Sequence, residues 1–160
     1  MTRAAPILSS FQTVEEGWID YNGHMNMGYY TVLFDRAADE AYEEIGFGPA
    51  YRAATGFTTY TAEFHVRYLQ ELKLGDRVRS TFRIVDHDEK RFHTFQELMR
   101  EDGGIVATGE GMALHVDQSG PKVAPMPEAL LAQLGRIAQA HATLPRPEGV
   151  GRSIGMRRRG

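Results

Sequence analysis

The sequence predicts an α+β domain in which an antiparallel sheet wraps around a central helix, with an additional C-terminal helix. Three observations carry this reading. One apolar stripe at helical spacing runs from Gly28 to Ile45. Four β-like segments follow between residues 57 and 116 with only tight-turn signals between them. A second amphipathic stretch then opens after Pro125 and Pro127.

Residues 6–15 are β-compatible and stop before Gly17, which predicts a first strand with Phe11 and Val14 as apolar contacts. Trp18 to Asn26 pack Asp, Asn-Gly and Asn into a short space, the chemistry of a tight loop. In the segment that follows, Tyr30, Leu33, Phe34, Ala37, Ala38, Ala41 and Ile45 share one broad face, while Asp35, Asp39, Glu40, Glu43 and Glu44 occupy the other. Asn26 suits its N-cap and Gly46 a left-handed C-cap. Residues 49–55 are expected to be a short connection.

The four strands are placed at about 57–70, 76–87, 90–101 and 104–116. Leu74-Gly75-Asp76, His87-Asp88-Glu89 and Asp102-Gly103-Gly104 separate them. Such short links favour an antiparallel meander, because parallel neighbours need long crossovers. In the first strand, Tyr60, Ala62, Phe64, Val66 and Tyr68 alternate with Thr59, Thr61, Glu63, His65 and Arg67, which predicts two unlike faces. Leu130, Leu131, Leu134, Ile137 and Ala138 form the apolar side of a helix over 128–140. The expected organisation is one domain over 1–144 followed by an irregular basic tail over 145–160.

Composition narrows the functional classes. With 42% hydrophobic and 24% charged residues, the chain can bury a core. It has no cysteine, so disulfides, thiolate catalysis and thiolate metal ligation are excluded. The 14 basic and 21 acidic groups of residues 1–150 oppose a general nucleic-acid surface, and the four arginines of the last ten residues are too few for a groove. No apolar run is long enough for a membrane span, and Met1 to Phe11 do not resemble a signal peptide, so a cytoplasmic, membrane-free protein is expected. No zinc, phosphate-loop or nucleophile-elbow motif occurs.

Asp20-Tyr21-Asn22-Gly23-His24-Met25-Asn26, followed by Tyr29-Tyr30 and a helix, resembles the D-x-x-G-H-x-N-x-x-Y signature of the 4-hydroxybenzoyl-CoA thioesterase-like branch of the hotdog fold. The run from Glu63 to Gly75-Asp76 is similar to that family's second-strand region. Trp18 to His24, Lys90 to His93, Leu114 to Asp117 and Gly151 to Ile154 resemble the betainyl-CoA thioesterase subgroup.

The resemblance implies a hotdog fold and an acyl-CoA thioesterase that releases a carboxylic acid and free CoA. It makes Asp20 the catalytic carboxylate, acting either as nucleophile or as general base. The first-turn amides near Met27 and Gly28 would supply an oxyanion donor, and Asn22, His24 and Asn26 would fix the loop, orient water or contact substrate. Tyr21 and Tyr29 are candidates for the acyl group, and the aromatic surface around the loop suits a quaternary ammonium or an ordinary acyl chain.

Family dimers join through the second strand, which would bring Thr59, Thr61 or Glu63 towards the partner's Asp20. Arg91, His93 and Arg152 are candidates for CoA phosphates. The last three arginines would either clamp the nucleotide or form a disordered end. The expected partners are the acyl-CoA substrate and a second copy of the chain, in a homodimer or a dimer of dimers. No cofactor is called for. A hotdog hydratase, or a non-catalytic α+β ligand-binding module, would be the competing classes.

Overall fold

The structure, a computed structural model, describes residues 4–158; Arg159 of the basic tail and residues 1–3 lie outside it. The described residues form a seven-stranded antiparallel sheet and three α-helices. In chain order these are β1 (Ile7–Leu8), β2 (Gln12–Thr13), α1 (Met27–Ile45), α2 (Pro49–Thr55), β3 (Phe57–Tyr68), β4 (Arg77–His87), β5 (Arg91–Arg100), β6 (Ile105–Asp117), β7 (Lys122–Val123) and α3 (Glu128–Ala142). The main strand order is β1-β4-β5-β6-β3; β2 also pairs with β4, and β7 with β6.

Helix α1 forms where the periodicity places it, and all seven residues of its apolar stripe are buried. Leu33 and Phe34 are fully enclosed, and burial of such a side chain is worth about 1.5–3 kcal/mol. The Asn26 side chain accepts from the Gly28 amide at 3.0 Å, and Gly46 ends the helix at φ 110°. Gly109 and Gly111 of β6 let the helix approach the sheet, since a Cβ at Gly109 would press on Phe64 and Phe34. Helix α3 packs beside α1: Leu134 joins Phe82, Ile84 and Phe92 in one core cluster. His141 Nδ1 accepts the Ile84 amide at 3.0 Å, satisfying a donor on β4.

Three expectations need correction. The first strand is split into β1 and β2, with Val14 buried and Phe11 only half-buried under the guanidinium groups of Arg77 and Arg79. Residues 49–55 are a helix, begun by Pro49 at its first position and held by Tyr51, whose hydroxyl bonds His115 Nε2 at 2.8 Å. The alternation in β3 also does not persist.

Its register against β6 shifts between Thr61 and Glu63. One extra residue turns every later side chain to the other face. Thr61 and Phe64 therefore line the same cavity beside α1, whereas Glu63 and His65 lie in a cleft on the outer face.

Residues 145–152 have no regular structure, yet they are fastened across that outer face. Arg83 of β4 donates to the Pro145 carbonyl at 2.8 Å, and the Gly151 amide donates to Glu110 of β6 at 2.9 Å. A Cβ at Gly149 would collide with the Arg67 guanidinium of β3.

Candidate active site

Trp18 to Asn26 form a miniature hairpin that feeds directly into α1. Ile19 bridges Met25, the Asp20 amide donates to the His24 carbonyl at 2.9 Å, and the Asn26 amide donates to the Trp18 carbonyl at 2.9 Å. The three-residue loop closes with the Gly23 amide on the Asp20 carbonyl at 3.0 Å. Gly23 has φ 79°, the left-handed position such a loop requires. Asp20 Oδ1 accepts the Asn22 amide at 2.8 Å. Asp20 is half-buried and in no ion pair among the described residues.

The hairpin is anchored on three sides. Trp18 is buried and stacks on Tyr29 at 5.3 Å, with Arg36 above its ring at 5.2 Å. The Met25 amide donates to the Leu72 carbonyl at 2.7 Å, tying the hairpin to the β3–β4 loop. His24 Nε2 reaches Glu71 Oε2 of the same loop at 2.9 Å. A carboxylate only accepts, so Nε2 carries the proton and the ring is turned to Glu71. Arg100 holds the loop in turn, bonding Gln70 Oε1 at 2.6 Å and the Glu71 carbonyl.

At the start of α1 the donors are divided. Asn26 takes the Gly28 amide with its side chain and the Tyr29 amide with its carbonyl. That leaves the Met27 amide as the first-turn donor without an acceptor among the described residues, at the positive end of the helix. Tyr68 donates its hydroxyl to the Met27 carbonyl at 3.3 Å and braces this residue against β3.

A cavity of about 250 Å³ lies between α1 and strands β3, β5 and β6. Phe34 and Phe64 meet edge to face in its wall at 5.7 Å, buried Thr94 and Gln96 line its inner end, and exposed Thr31 and Asp35 sit at its opening. Asp20 does not line it. Met27, Thr31 and Asp35 are spaced four residues apart, so one stripe of α1 runs from the helix start past the opening.

The remaining candidates are dispersed. Tyr21 is 97% exposed at the hairpin tip, and Tyr29 is occupied by Trp18. Thr59 and Thr61 face α1, but Glu63 faces outward beyond the bulge. Glu63, His93 and Arg152 do share the outer-face cleft, where His93 Nε2 contacts Glu110 Oε1 at 2.7 Å. Arg91 is paired with Asp88 at 2.5 Å in the neighbouring turn.

Sequence reasoning missed Glu71 and Arg100, whose parts depend on a loop meeting a hairpin more than 40 residues earlier in the chain. Asp35 lies exposed on the polar face of α1, as its spacing predicts, and there also borders the cavity opening. Among the described residues no group of His, Asp and Glu has the geometry of a metal site, and no helix is long and apolar enough to cross a membrane.

A curved sheet around a helix entered through an aspartate-bearing turn places the protein among the hotdog thioesterases, enzymes that hydrolyse thioesters. The profile of the thioesterase-like superfamily matches residues 14–134, and the chain belongs to that family. It is 39% identical over 152 residues to a betainyl-CoA thioesterase of Pseudomonas aeruginosa, covering 94% of this chain and 96% of that protein. A bifunctional L-carnitine dehydrogenase/betainyl-CoA thioesterase of Rhizobium meliloti is 41% identical over 146 residues; the match covers 91% of this chain and 29% of that longer protein. Among solved structures, a Staphylococcus aureus protein in complex with CoA superposes with a TM-score of 0.85 at 31% identity, covering 95% of this chain and 97% of that one.

Proposed function

We propose that this thioesterase hydrolyses betainyl-CoA to betaine and free CoA, with Asp20 as the reacting carboxylate and the Met27 amide as the oxyanion donor. One observation carries the assignment of the site: the hairpin that presents Asp20 continues without interruption into the helix start at which the Met27 amide is unfilled. The betainyl-CoA thioesterase activity of the two relatives supports the substrate.

In this reading the thioester carbonyl sits against the first turn of α1. Water, deprotonated by Asp20, or Asp20 itself attacks the carbonyl carbon, and charge moves onto the oxygen facing the Met27 amide. Collapse of the tetrahedral intermediate breaks the C–S bond and expels CoA as a thiolate, which takes up a proton. By the nucleophilic route, water then cleaves the mixed anhydride and restores Asp20. Either sequence balances with water alone, so the hydrolysis needs no cofactor.

His24 and Asn26 position this junction. His93 and Arg152 supply cationic and hydrogen-bonding groups for CoA phosphates. Strand β3, 12 residues long and without a neighbour on its outer edge among the described residues, offers the surface for a homodimer.

Free-thiol release from betainyl, short aliphatic and aryl CoA esters, measured with wild type and Asp20→Asn, tests the proposal. Wild-type turnover of betainyl-CoA that is lost in the folded variant is the expected result. Turnover that survives in Asp20→Asn overturns the role of Asp20, and turnover confined to other esters overturns the substrate.

A further inference from the structure

We infer that the cavity beside α1 receives the acyl group and that Asp35 at its opening is the counter-charge selecting a cationic acyl group over a neutral one. This rests on the reading of the protein as a betainyl-CoA hydrolase and adds the residue that would decide its specificity.

The cavity has one charged lining residue among those described, and it is a carboxylate. Asp35, Asp39 and Glu43 follow one another at four-residue spacing on α1, and none has a cationic partner among the described residues. Like charges so placed disfavour a helix, a cost that an external cation would relieve. Burial, then the Asp35 and Glu43 charges, raise the Asp39 carboxyl; burial, then Asp35 and Asp39, raise the Tyr42 hydroxyl, which also lines the cavity.

The walls complement such a charge. Phe34, Phe64 and Tyr42 present aromatic surface of the kind that attracts a methylated ammonium. A cavity of about 250 Å³ has room for a compact acyl group such as one ending in a trimethylammonium. Gln96, 2% exposed, accepts the Ser80 hydroxyl on its Oε1 and lines the cavity beside Thr94, so the inner end is polar.

The test compares betainyl-CoA with 3,3-dimethylbutanoyl-CoA, in which carbon replaces the quaternary nitrogen at equal shape. The readout is the ratio of kcat/KM for the two esters in wild type and Asp35→Asn. A wild-type preference for betainyl-CoA that falls about tenfold or more in the variant is the expected result. Betainyl-CoA turnover whose ratio is the same in both proteins overturns the role of Asp35 while leaving the proposed function standing. Wild-type turnover of the neutral ester without any of betainyl-CoA overturns both. Because the ratio is internal to each protein, a loss of folded enzyme does not mimic the effect.

Discussion

Asp20 and His24 face each other across a three-residue turn, joined through their backbones at 2.9 Å, while their side chains take different partners: Asp20 caps the Asn22 amide, and His24 reaches Glu71. The carboxylate and the imidazole are thus set by one hairpin without forming a catalytic pair in this chain.

Asp20→Asn therefore separates chemistry from structure. An asparagine carbonyl oxygen accepts the Asn22 amide as the carboxylate does, so the turn and the melting temperature should be preserved. Turnover should fall about a hundredfold or more, because the amide is neither an effective base nor a nucleophile. Circular dichroism and thiol release on the same preparation check both halves.

The His24–Glu71 contact is partly exposed, at 37% and 52%, so its contribution to stability should be about 0.5 kcal/mol or less. Its larger effect should be on the position of the hairpin. His24→Gln and Glu71→Gln should lower kcat by similar factors, and the double variant by little more than either alone. A double-mutant cycle in kcat gives the answer, with additive losses contradicting a shared positioning role.

Asn26→Ala removes the cap from the Gly28 amide and should lower stability by about 1 kcal/mol, with Asn26→Ser recovering most of it. The uncapped first turn should also fray at Met27, reducing kcat. Denaturant unfolding alongside turnover would detect both losses.

His141 should impose a pH dependence. Its pKa is lowered by burial, opposed by the Ala5 backbone and aided by Arg83. The unfolded chain, with a histidine pKa of about 6.5, therefore binds the proton more readily than the folded one. The stabilisation is complete above about pH 6.5 and is lost as pH falls through that value towards the lower folded pKa. Thermal melts from pH 8 to pH 5 should show wild type losing stability more steeply than His141→Gln, which keeps an acceptor near the Ile84 amide; parallel curves would contradict this origin.

Much of the fold was legible because it is encoded by near neighbours. The seven apolar positions of α1, the Asn26 and Gly46 caps and the turns at Gly75, Asp88 and Gly103 follow from helical periodicity and turn chemistry within a few residues. The Asp20–Asn26 hairpin and its continuation into α1 belong to the same class, which is why the candidate site could be placed from a seven-residue motif.

What only the tertiary structure decided depends on segments distant in sequence. The bulge after Thr61 is a property of β3 paired with β6, and it separates Thr59 and Thr61 from Glu63. The path of residues 145–152 over the sheet comes from Arg83 and Glu110, and the orientation of His24 from Glu71. Asp35 reads locally as one more charge on a polar helix face. It becomes the charged residue of an aromatic cavity because β3, β5 and β6 curve around α1, and a local hydrophobic pattern carries no record of which strands will close over its polar edge.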